Sequence, residues 1–225
     1  MMRFIKLLLL FLVSTGIAHA YEFKGYSLGM PLSNFKDKGI HPDLSSGDNT
    51  KLVCSDEFNN ENLEFGGAAP FGISYEYSKY ASEQIVVCSF FDSTNIFNVP
   101  SYFQIKINGN EAGLETIFVF VKTNTNKEPE LARINIYLSP NSFNFLSKEF
   151  AKKYGVPSSQ SKTLQNGFGT KFNDQTLSWS KNGEEINYWK YVGRTDQSAI
   201  EFNGKLSKIL DKLELAKQKK ETKGL

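Results

Sequence analysis

The sequence predicts an α+β fold, an antiparallel β-sheet with helices packed on one face. Aromatic residues are unusually common, 19 Phe and 10 Tyr, and many fall in short β-prone runs parted by Asn and Gly; that composition favours sheet. Asn108-Gly109 and Asn182-Gly183 can each take the positive φ angles of a tight hairpin turn, so the strands on either side should pair antiparallel. Between the β-prone runs lies a helix with clear start and stop signals. Ser139 can cap it, Pro140 suits its first turn, and Gly155 followed by Pro157 ends it.

Residues 1–20 read as a cleavable signal peptide. Arg3 and Lys6 precede an unbroken apolar run from Leu7 to Val13, and the small-residue triplet Ala18-His19-Ala20 stands just before Tyr21. The apolar run is too short to span about 30 Å of hydrocarbon as an anchor. Removing Arg3 and Lys6 takes the formal charge from +2 to zero, so the mature chain has no global field to draw in nucleic acid or anionic lipid. The expected destination is outside the cytoplasm, the periplasm first and the extracellular medium second, with no stable membrane anchor.

Export makes the two cysteines, Cys54 and Cys88, a disulfide pair by expectation. Their spacing is neither C-x-x-C nor a zinc pattern.

Along the mature chain, a short helix is expected over Pro31–Lys38, ending at Gly39. Gly66-Gly67-Ala68-Ala69-Pro70-Phe71-Gly72 reads as a loop, since it lacks the lysine and following helix of a phosphate cradle. Strands are expected over Gly72–Ala81, Gln84–Phe91, Tyr102–Ile107, Leu114–Val121 and Leu131–Leu138. The apolar residues of Thr116–Phe120 do not alternate, which suggests a strand buried on both faces. In the helix Pro140–Tyr154, Phe143, Leu146, Phe150 and Tyr154 form one stripe that should lie on the sheet. Further strands follow over Thr176–Ser180, Glu185–Val192 and Ser198–Phe202. A last helix over Lys205–Ala216 carries the stripe Leu206, Ile209, Leu210, Leu213, and the basic segment 217–225 has nothing to bury and is expected to be a disordered tail.

Residues 32–42 and 146–157 echo one another: each reads as a helix closed by Gly and then Pro, and each is followed by a long β-rich stretch. The chain therefore divides into a unit over 21–125 and a unit over 126–216, which are either two related helix-plus-sheet repeats or parts of one domain. At Gly29-Met30-Pro31-Leu32, with Gly39 and Pro42 after it, the sequence resembles the helix-opening segment of the SmpA/OmlA group of small bacterial envelope lipoproteins. That group and the β-lactamase inhibitor protein, whose fold is similar, join helices to an antiparallel sheet and bind other proteins. The resemblance covers residues 29–42 and the echo near Pro157, and implies architecture rather than a specific role. Tyr21 stands where those lipoproteins carry a lipidated cysteine, so no covalent lipid is expected.

The residue inventory argues against most catalytic classes. After cleavage His41 is the sole histidine, set between Ile40 and Pro42 past a helix end, and no G-x-S-x-G motif accompanies it. Asp43 and Asp48 are too few carboxylates for a calcium loop. The adjacent pairs Asp56-Glu57 and Glu184-Glu185 point to opposite faces if on strands, and Glu184 and Glu185 read as solvated charges beside a hairpin. No catalytic, metal or cofactor residues are therefore assigned. The candidate binding surface is in Ile186-Asn187-Tyr188-Trp189-Lys190-Tyr191, where alternation sends Tyr188 to one face and Trp189 and Tyr191 to the other. The resulting expectation is an exported, non-catalytic binding protein of the bacterial envelope whose partner is another protein or a peptide. A secreted inhibitor or effector and a small carboxylate-based hydrolase are the alternatives.

Overall fold

The computed structural model describes residues 21–44, 50–58, 71–80, 82–92, 105–107, 110–165, 167–193 and 195–223. The predicted signal peptide, residues 66–70 of the glycine-rich loop, residues 102–104 and the Asn108-Gly109 turn lie outside them.

The chain opens with a small hairpin, β1 (Glu22–Phe23) and β2 (Tyr26–Ser27), followed by α1 (Leu32–Lys38) and β3 (Thr50–Cys54). Next come α2 (Phe71–Tyr80), β4 (Ile85–Asp92), β5 (Ile105–Ile107), β6 (Asn110–Val121) and β7 (Glu130–Leu138). A 3-10 turn at Pro140–Ser142 leads into α3 (Phe143–Tyr154), then β8 (Ser158–Gln165), β9 (Lys171–Lys181), β10 (Glu184–Trp189), β11 (Ser198–Asn203) and α4 (Ser207–Lys223).

Among the described residues β3 to β11 form one sheet, antiparallel at every pairing, in the order β3-β4-β6-β7-β11-β10-β9-β8 with β5 beside β6. The order is symmetric about the β7–β11 pair. In each half a helix is followed by strands laid from the outer edge inward, and the last strand of each half meets the other at the centre. The β6–β7 hairpin crosses the expected boundary at residue 125, pairing Val121 with Glu130, so a single sheet joins both halves.

Alternation explains the packing. Cys88, Phe118, Ile134, Phe202, Ile186 and Trp179 are successive cross-strand partners over six strands, all on one face. All six are at most 3% exposed, and burying such side chains stabilises by roughly 1.5–3 kcal/mol each for the larger apolar ones. Helices α1 and α3 cover this face. Phe35 of α1 meets the Phe118 ring at 4.8 Å, and Phe143 of α3 meets Tyr188 at 4.6 Å. Both helices end on glycines with positive φ, Gly39 at 68° and Gly155 at 89°, as the Gly-then-Pro pattern predicts.

The expectation of helices on one face describes α1 and α3 only, because α2 and α4 cover part of the opposite face. Here the cross-strand row Ile117, Asn135, Glu201, Asn187, Ser178 turns from apolar to polar across the sheet, so helical cover is confined to the end that needs it. Two sequence expectations are corrected. The stretch expected as the strand Gly72–Ala81 is helical in its described residues, part of α2 (Phe71–Tyr80), since Ile73, Tyr77 and Tyr80 are buried at helical spacing while Tyr75 is 53% exposed. Residues 217–223 continue α4 rather than forming a disordered tail, and Lys217 Nζ donates to the Ser78 carbonyl of α2.

Cys54 and Cys88 form the expected disulfide, directly paired across β3 and β4. The Asn182-Gly183 turn takes φ of 54° and 79°, the positive pair a two-residue hairpin requires.

Candidate functional site

The α2 helix sets four side chains against the sheet: Ile73, Tyr77, Tyr80 and Glu76. Glu76 is fully buried, which is costly for a carboxylate unless its oxygens are satisfied. Lys79 Nζ donates to its Oε2 at 2.6 Å, and Tyr80 Oη and Asn135 Nδ2 donate to its Oε1, each at 3.1 Å. Arg133 lies two residues before Asn135 on β7, and alternation places both on the same face. Its Nε donates to Asn203 Oδ1 at 2.7 Å, its Nη2 to Asp211 Oδ1 of α4 at 2.5 Å, and its Nη1 to Tyr80 Oη at 3.4 Å. Glu201 Oε2 is 3.5 Å from Arg133 Nε. A continuous polar chain thus links Lys79, Glu76, Tyr80, Arg133 and Asp211, and couples two helices to the central strand.

The electrostatics follow from this arrangement. Burial raises the Tyr80 phenol pKa, and Glu76 adds to the rise. Burial is the largest influence on Lys79 and Arg133 and works against their charges, but the partners together outweigh it, Glu76, Tyr137 and Tyr75 around Lys79 and Glu201, Tyr80 and Asp211 around Arg133, leaving both pKa values raised. Glu115 pairs with Tyr137 across β6 and β7. Burial, then Glu76, pushes its carboxyl up to about 7, and the same two causes push Tyr137 up to about 12. Glu115 Oε1 and Asn135 Oδ1 are buried with no hydrogen-bond partner.

Beside this chain opens a cleft of about 360 Å³, with Tyr137, Trp189 and Tyr191 among its walls and Glu76, Glu201 and Glu214 among its carboxylates. Trp189 reaches it from β10, cross-strand from Ala199. Tyr191 lies beyond the end of β10 and is held there by its backbone N–H donating to Asp174 Oδ1 at 3.2 Å. Tyr188 faces the other way and is fully buried under α3. The two residues of the sequence-derived candidate surface therefore line one cleft. Glu76, Glu115 and Arg133 escaped the sequence reading because each looks like an ordinary surface charge in isolation.

A larger cleft, about 690 Å³, lies between the β1–β2 hairpin and the C-terminal ends of α1 and α3, with Lys24, Lys38, His41, Lys152 and Lys153 in its lining. Two of its lysines are ion-paired, Lys24 with Asp43 at 2.5 Å and Lys152 with Glu149 at 2.6 Å. His41 Nδ1 accepts the Asp43 backbone N–H at 3.1 Å, a local turn contact. The smaller cleft is the better site because it joins an aromatic wall to the charged side chains of the Glu76–Arg133 network.

Asp56 and Glu57 bring carboxylate oxygens within 4.8 Å of one another, whereas Glu184 and Glu185 stand on opposite faces of β10. Asp56 pairs with Lys36 at 2.9 Å and Glu57 accepts the Cys54 backbone N–H at 3.3 Å. Glu185 is exposed, whereas Glu184 is 5% exposed and accepts a hydrogen bond from Tyr21, so it is not the solvated hairpin charge expected. Among the described residues, Cys54, Asp56 and Glu57 bring three metal-capable atoms within 4.8 Å of one another, but the Cys54 sulfur is bonded to Cys88.

The fold and the cleft define a class: an α+β protein built on one antiparallel sheet, with a charged, aromatic-walled cleft on one of its faces. No known protein-family model, curated protein or solved structure matches the chain.

Proposed function

We propose that the protein is an exported, non-catalytic binding protein of the bacterial cell envelope, working in the periplasm, and that the cleft at Trp189 and Tyr191 takes a basic side chain of a partner protein or peptide. The observation that carries this reading is the meeting of three aromatic side chains with the carboxylates of Glu76, Glu201 and Glu214 in one cleft. Lining carboxylates outnumber lining cations, Glu76, Glu201 and Glu214 against Lys79 and Arg133. Aromatic faces and excess negative charge both favour an ammonium or guanidinium group. The disulfide supports an oxidising destination. Among the described residues no helix is long and apolar enough to cross a membrane. The symmetric strand order supports two related units, in line with the resemblance to envelope proteins that bind other proteins.

The test is a titration of the oxidised mature protein with short peptides bearing Lys or Arg, against matched peptides bearing Glu or Gln. Trp189 fluorescence in a Trp179→Phe background is the readout. Saturable quenching by the basic peptides, lost in Tyr191→Ala, is expected; equal responses to all peptides would refute the cleft as a cation site. Assaying cell fractions and medium separates the envelope protein from a secreted inhibitor or effector.

A carboxylate-based hydrolase is the second reading, favoured by Glu115 with its carboxyl pushed up to about 7. Against it, both oxygens of the neighbouring Glu76 are already engaged by donors. Turnover of reporter glycosides that disappears in Glu115→Gln would favour it.

A further inference from the structure

The first described residue is tied down at its nitrogen. The Tyr21 backbone N–H donates to Glu184 Oε2 at 3.0 Å, a buried contact between residues 163 apart in sequence. Tyr21 is 3% exposed and Glu184 5%. The Tyr21 ring packs edge-on against Tyr154 at 5.2 Å, and Tyr154 Oη donates to the Glu22 carbonyl at 2.9 Å. Tyr21 is therefore fixed at backbone and side chain, and Glu22 at its carbonyl, in a segment where chains commonly fray.

The same nitrogen belongs to the bond that the Ala18-His19-Ala20 signal marks for cleavage. Hydrolysis by a signal peptidase adds the water oxygen to the Ala20 carbonyl carbon and breaks the C–N bond. The nitrogen leaves as an amine and is protonated at neutral pH. A neutral N–H with one hydrogen becomes an ammonium with three, already 3.0 Å from a carboxylate oxygen.

We propose that Glu184 forms a binding site for the α-ammonium group that cleavage creates on Tyr21, so that removal of the signal peptide turns a neutral hydrogen bond into a buried ion pair and locks the N-terminus onto the β9–β10 hairpin. The proposal rests on the export reading but not on the cleft. Burial raises the Tyr21 phenol pKa, and Glu184 and Glu185 add to the rise; the carboxylate contribution is the part that marks a local field favouring a cation. The position also matters: β1 and β2 lie over the face covered by α1 and α3, where Phe23 meets Phe202 at 5.8 Å. A latch at residue 21 thus holds a covering layer of the core.

The experiment compares the chain beginning at Tyr21, released without extra residues from an N-terminal fusion, with a chain extended by Gly-Ser, each with Glu184 and with Glu184→Gln, the disulfide intact. Urea unfolding is expected to show an unfolding equilibrium constant about tenfold higher for the extended chain, and the gap should vanish in the Gln pair. No gap, or the same gap in the Gln pair, overturns the proposal. If Glu184→Gln does not fold, acetylation kinetics of the unsubstituted protein decide: the Tyr21 amine should react about tenfold more slowly than that of an unstructured peptide starting with Tyr, and equal rates overturn the proposal. N-terminal sequencing of the exported protein separates the two readings. A start other than Tyr21 overturns the latch while leaving export intact, and an uncleaved chain overturns both.

Discussion

Asn135 spends its amide on Glu76: Nδ2 donates to Glu76 Oε1 at 3.1 Å across the interface between α2 and the sheet, while Asn135 Oδ1 keeps no partner. The carboxylate is thereby a hub whose loss strands three donors at once. Replacing Glu76 by Ala leaves the Tyr80 hydroxyl, the Lys79 ammonium and the Asn135 amide without their acceptor. The expected loss is roughly 2–4 kcal/mol of stability, kept below the upper range for buried pairs because Lys79 retains 27% exposure and can rehydrate. Urea denaturation checks the value, and a loss under about 1 kcal/mol would mean the hub contributes little.

Glu115 makes stability depend on pH in a direction opposite to that of an ion-paired acid. Its carboxyl is raised from 4.5 to about 7, so between those values the folded protein holds a proton that the unfolded chain has released. Stability from this group is intact below the lower value and declines as pH rises through the window, by an amount on the order of 3 kcal/mol at most. Glu115→Gln should flatten that decline and raise the unfolding midpoint at pH 8. A variant with the same pH profile as the parent contradicts the assignment.

The disulfide joins neighbouring strands whose cysteines are both fully buried, 34 residues apart in sequence. Replacing both by Ala is expected to cost about 3–4 kcal/mol on the loop-entropy account. Because the sulfurs are inaccessible in the folded state, reduction by dithiothreitol should keep pace with global unfolding. Fast reduction at zero denaturant would show that β3 opens locally.

The two tryptophans should report separate regions. Trp179 is 3% exposed, with Nε1 donating to the Gly155 carbonyl at 2.7 Å, whereas Trp189 is half-buried in the cleft wall. With Trp179 alone, emission should be blue-shifted and resist acrylamide; with Trp189 alone, it should be red-shifted and readily quenched. Matching quenching constants would place Trp189 deeper than described.

Local signals carried much of this architecture. The Gly stops of α1 and α3 and the Asn182-Gly183 turn were readable because the backbone angles they demand select residue type directly. Tyr188 and Trp189 separated correctly because alternation needs no tertiary knowledge. Helix α2 is not legible in the sequence because Ile73, Tyr75 and Tyr77 also satisfy a period of two; the exposure of Tyr75 and the burial of Glu76 and Tyr80 distinguish the helix. The Glu76 network was illegible for a deeper reason: its members come from α2, β7, β11 and α4, and a charge is recognisable as buried only once its partners are known. Glu184 was misjudged likewise, because its partner lies at the opposite end of the chain.

The strand order also imposes a sequence of events. β7 finds its first neighbour, β6, across a short turn, but its second, β11, begins sixty residues after β7 ends, from Leu138 to Ser198. A chain emerging N-terminus first therefore carries an open central edge, with Ile134 and Ile136 lacking half their cover, through the whole synthesis of α3, β8, β9 and β10. Closure waits for one of the last segments made, and until it arrives the seam between the halves is where a foreign strand can add.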